Sequence, residues 1–177
     1  MKKIIIFLLA IVIPLISIAR YQNIGTAWKD RHISYLAQYA LDNDSDLYDK
    51  QAQINLSVAT CNRIVLLLGQ VPSDELKQHA KDIVNQIPQV RYIYNRITIA
   101  PPISAATRSN DTWITAKAKS SLLFTKGVES TKIKIVTEDG IVYLMGSISR
   151  QQSEVVINVI TQLPGVKKIV KIFEYTD

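Results

Sequence analysis

The sequence predicts an α+β fold of two tandem units, each α-β-β-α-β with a three-stranded mixed sheet packed on two helices. Three observations carry this. Stretches of helical periodicity alternate with short strand-like runs, and a strand run ends in glycine twice, at Gly69 and Gly146. The punctuation recurs in register: Gly69 and Gly146 stand 77 residues apart, and Val90 and Val166, like the helix-ending Pro88 and Pro164, stand 76 apart. The local sequence recurs too, with Ile64-Val-Leu-Leu-Leu-Gly69 answered by Ile141-Val-Tyr-Leu-Met-Gly146, and Gln86-Ile-Pro-Gln-Val90 by Gln162-Leu-Pro-Gly-Val166. A fixed period of this kind marks a duplicated supersecondary unit. About 70 residues suffice to bury a core between three strands and two helices.

The elements follow in order. From Thr26 to Leu41 the spacing is helical, with Ile33, Leu36, Ala37, Ala40 and Leu41 on one face, and the acidic stretch Asp42 to Asp49 ends it. Ile54 to Val58 alternates as a strand. Cys61-Asn62-Arg63 can turn, with Asn62 tolerating positive φ, and Ile64 to Leu68 reads as a buried strand. Ser73 is the expected cap of a helix whose apolar positions are Leu76, Ala80, Ile83, Val84 and Ile87. Val90 to Ile99 alternates again. Pro101-Pro102 opens an expected linker, 100–108, between a first unit at 26–99 and a second at 109–177. The second unit repeats the plan: a helix at Asn110–Phe124, a strand at Ile133–Val136, an Asp139-Gly140 hairpin signal, a strand at Ile141–Met145, a helix from Ser149 to Leu163, and a last strand, Val166–Tyr175.

The helix Asn110–Phe124 carries the functional interest. Asn110 or Asp111 is its expected cap. At about 100° per residue, Ile114, Ala118 and Leu122 form a core stripe. Trp113, Ala116, Leu123 and Phe124 fall roughly opposite, with Lys117 and Lys119 flanking them, and Arg108 and Lys126 add charge at either end. A helix that docks by one face is ordinarily polar on the other. An outward Trp among lysines therefore needs a partner: another domain, another protein or a lipid surface.

The formal net charge is +6, and removal of residues 1–19 leaves 19 basic against 15 acidic residues. That balance permits attraction to an anionic surface without demanding it. No Lys/Arg run is present, and nucleic acid is not an expected partner. The single cysteine, Cys61, excludes an intrachain disulfide and the paired-cysteine metal signatures. Its expected fate is that of a small buried hydrophobe. Residues 1–19 combine two lysines, an apolar run from Ile4 and the small residues Ser17 and Ala19, the parts of an export signal. The run is 16 residues long, against the ~20 that cross a bilayer comfortably. It is read as a signal cleaved after Ala19 or as an uncleaved N-terminal anchor, without a lipid-attachment cysteine. Either way the remaining chain is expected outside the cytoplasm.

The ordering resembles the BON domain. The matching features are Glu138-Asp-Gly-Ile-Val-Tyr-Leu-Met-Gly146, the helix after it, and Leu163-Pro-Gly-Val166 before the last strand. The resemblance spans most of residues 26–177 and is sharpest at Ser109–Thr115 and Gly140–Gly146. It implies a non-enzymatic protein of the bacterial envelope, in the periplasm at the outer membrane and supporting its barrier. It also implies binding of anionic phospholipid through the first helix of the second unit. The residue carried over is Trp113; with the outward face read above, the expected lipid-binding set is Trp113, Lys117, Lys119, Ser120, Leu123, Phe124 and Arg108. The first unit departs at Asn62-Arg63, where the second has Asp139-Gly140. Its opening helix has His32, Tyr35 and Tyr39 where the second has Trp113, Ala116 and Ser120, which makes it the weaker candidate for lipid insertion.

Other chemistry is thin. His32 and His79 have no cysteine or carboxylate at metal spacing in the sequence and are expected at or near the surface, so no metal is assigned. Asp42, Asp44, Asp46 and Asp49 alternate as in a calcium loop. The sixth and twelfth positions, however, are Leu47 and Gln53 instead of Gly and Glu, so the stretch is expected to be a solvated loop. Phosphate loops and nucleophile elbows are absent, and no cofactor or enzymatic activity is expected. The alternative reading is a protein-interaction module that binds an envelope partner through the same helix face or a sheet edge. Trp113 could equally pack into the seam between the two units.

Overall fold

The computed structural model describes residues 26–48 and 54–177. The N-terminal segment 1–19, with its expected export signal, lies outside the described residues, as do Asp49 at the end of the acidic stretch and Gln53 beyond it. The first unit runs α1 (residues 26–42), α2 (Ser45–Tyr48), β1 (Asn55–Cys61), β2 (Ile64–Val71), α3 (Asp74–Asn85), β3 (Tyr92–Asn95) and β4 (Thr98–Ile99). The second runs α4 (Ala105–Leu123), β5 (Ile133–Glu138), β6 (Ile141–Ile148), α5 (Arg150–Thr161) and β7 (Lys168–Tyr175). In each unit an antiparallel hairpin is followed by a parallel strand: β1-β2-β3 in one, β5-β6-β7 in the other. The first sheet departs from three strands because its last strand is broken. Asn95 turns its carboxamide onto the Ile97 amide (3.1 Å) and the Lys77 carbonyl (3.0 Å), and pairing with β2 resumes at Thr98 as β4.

Both recurring glycines have a steric cause. Gly69 (φ +121°) and Gly146 (φ +151°) lie where a Cβ would stand 1.7 Å from the Asn55 carbonyl oxygen and 2.2 Å from that of Lys132. Each glycine lets the end of the hairpin strand cross its partner's backbone at a distance no side chain allows. The two hairpin turns are both two-residue loops with positive φ at both positions, Asn62 (52°) and Arg63 (63°) in one, Asp139 (48°) and Gly140 (72°) in the other. The Asn62-Arg63 departure therefore changes the residues and keeps the turn.

Three apolar clusters organise the chain. One lies between α1, α3 and the first sheet, around Ile33, Ala37, Leu41, Val65, Leu67, Ala80 and Val84. A second lies between α4, α5 and the second sheet, around Ile114, Ala118, Leu122, Val142, Leu144, Val156 and Ile160. The third joins the units: Ala59, Leu66 and Leu68 from the first sheet pack on Tyr143, Met145 and Ile172 from the second. The sheets thus stack face to face, giving a four-layer helix-sheet-sheet-helix arrangement. This explains why β2 and β6 are apolar on both faces. Alternate residues of Ile64–Leu68 face helices on one side and the other sheet on the opposite side.

The seam is rimmed by polar contacts. Gln70 donates to Glu138 at 2.7 Å. Arg91 pairs with Glu174 at 2.8 Å, Asn62 donates to the same carboxylate at 3.0 Å, and the Lys134 ammonium reaches the Thr60 carbonyl at 3.0 Å. Cys61 borders this seam half-buried, and burial, with Asp30 next in effect, pushes its thiol up to about 11.

Candidate functional site

Helix α4 begins earlier than the sequence suggested. Ser104 caps it by accepting from the Thr107 amide, so residues 105–108 of the expected linker form its first turn. Asp111 is not the cap. It is buried, and its carboxylate accepts the Asp139 amide (2.7 Å) and the Gly140 amide (2.8 Å), holding the β5–β6 turn against α4. The first unit repeats the device. Asp30 of α1 accepts the Asn62 (2.8 Å) and Arg63 (2.7 Å) amides of the β1–β2 turn. A second tie also recurs: Ser34 donates to Thr60 at 2.9 Å, and Thr115 to Thr137 at 2.8 Å. Two polar clamps and a fully buried stripe of Ile114, Ala118 and Leu122 fix the rotation of α4.

That rotation decides what faces out. Trp113 is 44% exposed, Leu123 63% and Phe124 81%, while Ala116, Lys117, Lys119, Ser120 and Arg108 are all exposed. The residues divide between two flanks. Trp113, Lys117, Ser120 and Phe124 lie on one side, with the Lys117 ammonium 5.8 Å from the Trp113 ring centroid. Arg108 and Lys119 lie on the other, over a cleft of about 370 Å³ between α4 and β5 that Thr112, Thr115 and Glu138 also line. Leu123 and Ala116 occupy the crest between them. Packing of Trp113 into the seam is excluded, because the seam is made of the sheets and α4 covers the opposite face of its own sheet.

The first helix carries more aromatic surface than its sequence suggested. Trp28 is 66% exposed on α1 and stacks on His32 with ring centroids 5.4 Å apart. Tyr35 and Tyr39 continue the same outward stripe. An outward Trp is therefore common to both units. The sequence signal lies in the i, i+4, i+7, i+11 spacing of Trp28, His32, Tyr35 and Tyr39, with Trp28 ahead of the periodic apolar run.

The BON domain matches residues 40–101 and again 110–177. The chain belongs to the BON domain family. Among curated relatives, it is 31% identical to outer membrane lipoprotein DolP of Haemophilus influenzae over 86% of this chain and 78% of that protein. It is 34% identical to the 21 kDa hemolysin of Actinobacillus pleuropneumoniae, over 87% of this chain and 78% of the relative. The osmotically-inducible protein Y of Escherichia coli is 26% identical over 69% of this chain and 62% of its own length. Each BON unit here supplies the same clamp, an Asp from the first helix on a two-residue turn. Among the described residues no helix is long and apolar enough to cross a membrane.

Proposed function

We propose that this BON protein is a non-enzymatic component of the bacterial envelope that lies on anionic phospholipid through α4. The observation that carries the reading is the exposure of Trp113, Leu123 and Phe124 on a helix whose inner face is already fully packed. Apolar side chains presented this way on a helix parallel to a bilayer sit at headgroup depth, where a Trp ring is well accommodated. Lys117 and Ser120 on one flank, and Arg108 and Lys119 on the other, then meet the headgroups. Each basic residue near an anionic surface contributes about 1 kcal/mol. The likeness to an outer membrane lipoprotein supports the envelope, at the outer membrane, as the place of action.

The test is co-sedimentation of the full chain with phosphatidylglycerol vesicles, using phosphatidylcholine vesicles as the reference. Trp113→Glu is expected to abolish binding with the circular dichroism spectrum unchanged, and added salt to weaken binding of the parent protein. A folded Trp113→Glu variant that still sediments would overturn the reading. Salt-insensitive binding would direct attention to an apolar protein contact instead.

A further inference from the structure

The fold brings together two features that the sequence kept apart. The acidic stretch after α1 and the histidine of α3 meet at one point, although Asp44 and His79 are 35 residues apart in the chain. His79 Nε2 lies 2.9 Å from Asp44 Oδ1 and 3.8 Å from Asp46 Oδ2. One donor atom from each of the three residues falls within 4.8 Å of the others. No carboxylate stands at metal spacing from His79 in the sequence, but the fold brings two beside it. The carboxylates arrive from the short helix α2 (Asp46) and the residue just before it (Asp44); α2 packs on α3, a contact that local spacing does not encode.

We propose that Asp44, Asp46 and His79 form a binding site for a divalent transition ion of the zinc type. The argument rests on geometry and donor chemistry. Ligand atoms at the vertices of a zinc tetrahedron, with bonds of about 2.0–2.1 Å, stand about 3.3–3.4 Å apart. The two separations from His79, 2.9 and 3.8 Å, bracket that value, and all three donor atoms lie within 4.8 Å of one another. The imidazole nitrogen selects against calcium and magnesium, which take oxygen donors, and suits zinc, copper or nickel. Asp44 is held in place because its Oδ1 accepts the Asp46 and Leu47 amides at 3.1 and 3.2 Å. Among the described residues, no Lys or Arg forms an ion pair with Asp44 or Asp46, and the histidine comes from a separate helix. Two carboxylates facing one imidazole leave a negative point that a divalent cation neutralises. Three protein ligands leave a further coordination position for water or a fourth donor. A bound ion would pin α2 to α3 and stiffen the first unit at its far end from the β1–β2 turn.

Zinc chloride titrated calorimetrically into the metal-stripped full chain, in a buffer that does not chelate, tests this. One ion is expected per chain, with a rise in the urea midpoint of the first unit, reported by Trp28 in a Trp113→Phe background. His79→Gln and Asp46→Asn are each expected to weaken binding by about tenfold or more, since even outer-shell partners contribute on that scale. His32→Gln and Cys61→Ser are expected to leave it unchanged, and calcium in excess is expected not to compete. Binding should weaken on acidification as protons compete for the histidine. Absence of zinc binding at concentrations up to about 1 mM, undiminished binding by a folded His79→Gln variant, or loss on Cys61→Ser would overturn the proposal.

Discussion

Removing the Asp111 carboxylate tests how the second BON unit holds α4. The side chain is 4% exposed and accepts two amides, from Asp139 at 2.7 Å and from Gly140 at 2.8 Å. A hydrogen bond to a charged group contributes about 1.5–3 kcal/mol, and a buried amide left without a partner costs about 1–3 kcal/mol. Asp139 is exposed, so its amide can turn to water and its share lies at the low end. Gly140 is buried, and its amide has no such recourse. Asp111→Ala should therefore destabilise the unit by about 3 kcal/mol. With a urea slope of about 1.5 kcal/mol/M, the midpoint falls by about 2 M. The chain has two tryptophans, Trp28 in the first unit and Trp113 in the second, so a Trp28→Phe background makes fluorescence report on the second unit alone. Asp111→Asn keeps one acceptor and should lose roughly half as much. Asp30→Ala in the first unit should cost less than Asp111→Ala, because neither of its partners is buried: Asn62 is half-buried and Arg63 exposed, whereas Gly140 is buried. A midpoint shift under about 0.3 M for Asp111→Ala, or an equal loss from Asp30→Ala, would refute the reasoning.

Two further outcomes follow from the seam. Burial raises the carboxyl of Glu138 above its ordinary value, against the Gln70 hydrogen bond that lowers it. The folded state thus holds this proton more tightly than the unfolded one, and the associated stability is present below the ordinary value and lost as pH rises through the raised folded value. Urea midpoints measured across that window should fall less with pH in Glu138→Gln, whose amide oxygen can still accept from Gln70. An unchanged slope would remove Glu138 from the account. Cys61, with its thiol pushed up to about 11, should react slowly with a thiol reagent at pH 8 and rapidly in urea. Equal rates in both conditions would contradict its half-buried seat at the seam.

Much of the fold was legible because duplication makes each half a check on the other. The glycines, prolines and apolar strands repeat, so turn and core positions read in one unit transfer to the next. The seam was not legible. A run such as Ile64–Leu68 looks alike whether its second face meets a helix or a sheet, and only the tertiary arrangement distinguishes them. Asp111 was misjudged for a related reason. A Ser/Asp/Asn before an apolar stripe is a cap by local rules, while its partners, the amides of the β5–β6 turn, are 28 and 29 residues downstream. The core face of α4 followed directly from i, i+4, i+8 spacing. The division of its outer residues between an aromatic flank and a basic flank needed the cleft against β5 to become visible. The meeting of the acidic stretch with His79 had no local signal at all.

The stacked sheets give the molecule two opposite poles. Each sheet spends one face on its twin, so α1 and α4 are turned back to back, with roughly 30 Å between their axes if each layer contributes about 10 Å. A single flat bilayer can engage one pole only. In the proposed arrangement, with α4 on lipid, the Trp28–Tyr39 stripe would be carried clear of the headgroups and turned toward the aqueous compartment. Under the proposed lipid contact, this stacking keeps the two aromatic surfaces from meeting one membrane.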